Sequence, residues 1–79
     1  MTDPIKLSEA EVGKAYEVIK VEGPALIRRR IMDMGIIPGA KIKVLRLAPL
    51  LDPIEILVRG VPLSIRRAEA QYIIVRETS

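Results

Sequence analysis

Cysteine, histidine, phenylalanine and tryptophan are all absent from this 79-residue chain, and tyrosine occurs twice. Each absence closes a route. Without cysteine or a metal-ligand cluster, neither disulfides nor a structural zinc can staple so short a chain, so its stability must come from packing Ile, Leu and Val. A reducing, cytoplasmic setting fits that composition. Without histidine and cysteine the usual base and thiol nucleophile are missing, and Ser64 has Arg66 rather than a base beside it in sequence. There is no glycine-rich phosphate loop with a lysine either, so the chain reads as a non-enzyme with no cofactor. Two tyrosines leave bases little to stack on, and a nucleic-acid partner is not expected. No apolar stretch approaches the roughly 20 residues that span a bilayer. The start, Met-Thr-Asp-Pro-Ile-Lys, lacks a positive region followed by an apolar run, so a soluble cytoplasmic protein is the expectation.

What is present suffices for one small domain: 49% of residues are apolar, and the net charge of +3 suits a solvated surface of mixed sign. Gly23-Pro24 supplies an entry and a first-turn proline for a helix. From there Ile27, Ile31 and Met34 recur at helical spacing on one face, with Arg28, Arg29 and Asp33 projecting elsewhere. Gly35 can take the left-handed conformation that closes the helix, and Pro38-Gly39 adds a turn. Upstream, Ser8 and Glu11 have capping-box spacing, which predicts a capped turn from Leu7 to Val12.

Strands are predicted over Tyr16 to Val21, Ala40 to Leu47, Ile54 to Arg59, a short run carrying Leu63 and Ile65 inward, and Tyr72 to Arg76. Between the second and third, Ala-Pro-Leu-Leu-Asp-Pro at 48–53 is bounded by prolines and reads as a hairpin loop. In the second strand Ile42 and Val44 oppose Lys41 and Lys43, but Leu45 and Leu47 fall on the lysine side. Either that strand bulges or its outer face is partly apolar. Arg66 to Gln71 reads as a helical turn. About five short strands with one helix inserted after the first favour a small SH3-like β-barrel, which would remove exposed edges by closing the sheet.

Four segments then occur in one order with short gaps: Arg29-Arg30-Ile31-Met32-Asp33-Met34-Gly35-Ile36-Ile37-Pro38-Gly39, Ala48-Pro49-Leu50-Leu51-Asp52-Pro53-Ile54, Val58-Arg59-Gly60, and Leu63-Ser64-Ile65-Arg66-Arg67-Ala68-Glu69-Ala70. Together they resemble the FeoA family, over almost the whole chain. The resemblance implies a single SH3-like domain, 1–79, in the cytoplasm. It would accompany FeoB, the membrane transporter with a G domain that takes up ferrous iron, as a regulatory partner rather than a pore. A related module ends some iron-dependent repressors, so an accessory role in iron-dependent transcriptional regulation is the alternative. The chain departs from the family at Leu51, where glycine is frequent; a bulky residue makes positive φ costly there. Ile31 and Ile65, where leucine is usual, conserve volume.

Ferrous iron favours imidazole, thiolate or a mixed histidine and carboxylate set, and the three aspartates and seven glutamates are scattered singly, so no metal site is expected in one copy. Two features suggest partner binding. Leu50 and Leu51 at the hairpin tip, with Leu45, Leu47 and Leu57 on the nominally outer face of the flanking strands, would form one apolar surface for FeoB or for a second copy. Arg28 and Arg29, with Arg30, Arg66 and Arg67 nearby, suit an acidic protein surface or a peripheral contact with the anionic face of the membrane. Arg29 and Asp33 are spaced to pair along the helix.

Overall fold

The computed structural model describes residues 3–78; Met1 and Thr2, which open the start read above for a leader, and Ser79 lie outside the described residues. Six strands and two helices follow in chain order: β1 (Ile5–Lys6), β2 (Ala15–Val21), α1 (Ala25–Asp33), β3 (Lys41–Leu47), β4 (Ile54–Val58), β5 (Val61–Ile65), α2 (Arg67–Ala70) and β6 (Ile73–Glu77). They form one antiparallel sheet in the order β1-β6-β2-β3-β4-β5. The extra strand is β1, two residues long and too short to show any periodicity.

The ladder does not close into the expected barrel: the edge strands β1 and β5 do not pair with each other. In the arc between them α2 packs against the 3-10 turn Leu7–Glu9, with Leu7 and Ala70 fully buried. Each edge is protected in its own way, β1 by its brevity and β5 by Pro62, which has no N–H to offer a further strand.

Two bulges reconcile the irregular alternation of the long strands. On β2 the register against β6 shifts between Val18 and Lys20, so Tyr16 and Val18 point inward before the bulge and Val21 still packs on the core after it. On β3 the register against β4 shifts between Val44 and Arg46. β6 lies between β1 and β2; its Ile73 and Val75 are buried on one face, and Ile74 is half-buried on the other. Tyr72 precedes this strand; its carbonyl accepts a 2.7 Å hydrogen bond from the Glu22 N–H.

Helix α1 starts after Pro24, whose carbonyl accepts from the Arg28 N–H at 2.9 Å. Ile31 is fully buried, and Ile27 and Met34 pack partly against the core. Gly35, at φ 90°, ends the helix with its N–H on the Met32 carbonyl at 3.0 Å. The predicted Ser8–Glu11 cap is not formed. Glu9 takes the capping position instead, accepting from the Lys6 N–H at 3.3 Å, while Glu11 binds Lys14 Nζ at 2.6 Å. The cap falls two residues earlier than the serine spacing suggested, at Lys6 rather than Ser8, which puts Ser8 inside the turn. Among the described residues the buried set is wholly apolar.

Candidate functional site

The connection between β3 and β4 ends in a tight turn, Pro49–Leu51. The Leu51 N–H bonds the Ala48 carbonyl at 2.8 Å, and the Ala48 N–H bonds the Pro53 carbonyl at 3.1 Å, which closes the base of the loop. Leu50 (φ 69°, ψ 15°) and Leu51 (φ 66°) are both left-handed. For residues with a Cβ that conformation costs about 1–2 kcal/mol each, and consecutive examples are rare. The turn therefore accepts strain, and Leu51 adopts the kind of backbone for which a glycine would be suited. Neither side chain is compensated by burial: Leu50 is 97% exposed and Leu51 is 54% exposed.

The strain is opposed by Arg67. Its backbone N–H donates to Asp52 Oδ1 at 3.1 Å, and its guanidinium Nη1 donates to the Leu51 carbonyl at 3.3 Å. These two residues are the ones that sequence reasoning did not single out for the tip: Asp52 was read as part of a loop and Arg67 as part of a basic patch. They are fifteen residues apart, and no helix or strand period links them.

The other leucines do not share the tip's setting. Leu47 was expected on the outer face, but the bulge after Val44 turns it inward opposite buried Ile54, where it packs against the core. Leu45 stays outward, 37% exposed, beside Glu55, Pro62 and Ser64. Leu57 is half-buried and lines a separate depression with Ala15, Lys41, Lys43 and Arg59. The apolar surface thus divides into an exposed tip and two shallow depressions on the sheet, with Leu47 removed from it. Arg46 closes over Glu55 at 2.9 Å, which raises its pKa through the hydrogen bond and the charge. Lys14 is likewise raised, chiefly by its hydrogen bond to Glu11.

Arg28 and Arg29 line an open depression on the outer arc of α1 with Ala25, Met32 and Asp33, apart from all five leucines. Arg28 Nη1 donates to the Gly23 carbonyl at 3.2 Å. The expected Arg29–Asp33 pair is not among the ion pairs of the described residues; Arg30 instead reaches across to Glu69 of α2 at 3.5 Å. Both partners of that pair sit near solvent, where such contacts contribute little to stability. Among the described residues no three acidic side chains converge as a metal site. No helix among them is long and apolar enough to cross a membrane.

Comparison with known proteins matches residues 5–77 to the family model for the FeoA domain. A relative, the Fe(2+) transport protein A/Fe(2+) transporter FeoB fusion protein of Porphyromonas gingivalis (strain ATCC BAA-308 / W83), is 37% identical over 69 residues, which are 87% of this chain. The chain spans only 8% of that relative's length. The solution structure of a FeoA protein from Chlorobium tepidum is 48% identical with a TM-score of 0.86, over 95% of this chain and 71% of that one. A FeoA-like protein from Clostridium acetobutylicum is 40% identical with a TM-score of 0.91, over 100% of this chain and 92% of that one. At 24% identity and a TM-score of 0.75, the zinc-complexed FeoA of Stenotrophomonas maltophilia, described as a prokaryotic SH3 domain protein, shares the fold over 95% of this chain and 88% of that one. A manganese-dependent transcriptional repressor shares the fold alone, at 16% identity and a TM-score of 0.87, over 99% of this chain and 44% of that one.

Proposed function

Because this chain belongs to the FeoA domain family, we propose that it is a non-catalytic accessory module of ferrous iron uptake, docking on the cytoplasmic part of a FeoB-type transporter. The observation that carries this reading is the fusion relative, in which a homologous domain and a FeoB transporter share one polypeptide. Covalent linkage holds two modules at high effective concentration, which favours a contact between them within one molecule. A module of this kind biases a transporter's assembly or nucleotide state only by binding those states with different affinity.

The surface best suited to dock is the hairpin tip. Leu50 and Leu51 are apolar, exposed and held in a strained turn, a combination that the isolated domain gains nothing from and that suits insertion into an apolar pocket. Arg28 and Arg29 form a second, polar contact area for an acidic part of the same partner. The likeness to repressors lies in the fold, which does not transmit function, so the regulatory alternative gains no support from it.

Calorimetric titration of the full chain into the soluble G domain of the cognate FeoB tests the proposal. Leu50→Asp is expected to keep the circular dichroism spectrum and to weaken binding by at least about tenfold, the loss of an apolar anchor worth some 1.4 kcal/mol or more. Unchanged affinity in a folded Leu50→Asp variant would remove the tip from the interface.

A further inference from the structure

A leucine in left-handed backbone returns to an ordinary conformation unless its surroundings over-determine it. Here two stand in a row, at Leu50 and Leu51, with Leu50 almost wholly in solvent. The hydrogen bonds inside the loop, Leu51 to Ala48 and Ala48 to Pro53, tie the turn to itself. Among the described residues, the two hydrogen bonds that tie it to the rest of the domain both come from Arg67, to Asp52 Oδ1 at 3.1 Å and to the Leu51 carbonyl at 3.3 Å. Arg67 is itself well founded. The helical turn α2 that carries it buries Ala70 completely, and Glu69 binds Arg30 of α1 at 3.5 Å and accepts from the Arg66 N–H at 3.4 Å.

We infer that Arg67 is a positioning residue for the docking tip: it holds Leu50 and Leu51 left-handed, so that both side chains face outward before a partner arrives. The inference rests on the docking reading and deepens it, because it makes the tip a preformed anchor for an apolar pocket on the transporter's cytoplasmic part. Its advantage is preorganisation. Apparent affinity falls in proportion to the fraction of molecules in the competent conformation, so a tip that wandered among several turns would bind correspondingly more weakly. The guanidinium suits the task, since its planar fork reaches a carbonyl while the backbone N–H of the same residue serves the carboxylate.

The test uses the full chain with Arg67→Ala and Arg67→Lys, read by NMR and by titration with the G domain. The intraresidue amide-to-Hα NOE, strong for left-handed backbone, reports the tip directly. Arg67→Ala is expected to keep the dispersed resonances of the sheet, to lose that signature at Leu51, and to bind on the order of tenfold more weakly, as a tip competent one time in ten would. Arg67→Lys, which keeps a donor for the Leu51 carbonyl, should restore most of both. A left-handed Leu51 in folded Arg67→Ala would overturn the inference, whatever the affinity. If Arg67→Ala does not fold, Asp52→Ala removes the other anchor without touching α2 and is read in the same way. Wild-type protein that showed the NOE but no binding would defeat the docking reading alone.

Discussion

At the scale of single residues, the informative positions are those where local preference is overridden. Leu51 is the clearest: replacement by glycine relieves a left-handed conformation costing about 1–2 kcal/mol, against roughly 0.5–1 kcal/mol lost to the freer unfolded chain. Leu51→Gly should therefore melt at the same temperature or a few degrees higher while binding its partner less well. A fall in melting temperature would show that the leucine side chain stabilises the domain. Gly23 makes the opposite case, at φ 96° with a Cβ placed there only 2.7 Å from Cδ1 of Tyr72. Gly23→Ala is expected to destabilise by roughly 2–4 kcal/mol in urea titration, combining backbone strain with overpacking. The need for glycine at 35 was legible from its place after the last apolar helix position. The need at 23 was not, because the ring it faces lies 49 residues away in sequence and reaches it only through the pairing of β2 with β6.

At the scale of elements, α1 was legible to within a residue, since a proline entry, a three-position apolar stripe and a glycine stop all agree. The strands were legible as segments but not as faces. Period-two alternation assigned Leu45 and Leu47 to the same side, and the bulge between Val44 and Arg46 separates them. That separation is testable by a matched pair of substitutions followed by denaturant melts. Leu45→Asp, on the outer face, should change stability by less than about 1 kcal/mol, whereas Leu47→Asp, placed against the core, should cost about 2 kcal/mol or more for burying a carboxylate. Equal effects would contradict the register. Arg67 and Asp52 show why the site itself was less legible than the fold: a hydrogen bond between a loop and a later helical turn leaves no periodic trace. The packing of α2 against the Leu7–Glu9 turn follows the same logic, being a tertiary contact invisible to strand patterning.

At the scale of the whole molecule, a FeoA domain presents an apolar tip from a core of aliphatic side chains and Tyr16, with an arginine-bearing depression on the outer arc of α1. A domain of this size has little interior to spare, so exposed leucines on a strained turn are better explained by an external contact than by folding. The central claim, that this chain docks on the cytoplasmic part of a FeoB-type transporter through its tip, is met most directly by one measurement. Isotopically labelled protein is titrated with the soluble G domain of its cognate FeoB, without nucleotide, with GDP and with a non-hydrolysable GTP analogue, and amide shifts are followed by NMR. The account predicts shifts centred on residues 48–53 whose size differs between nucleotide states; an absence of shifts in every state, or shifts confined to surfaces remote from that loop, would contradict it.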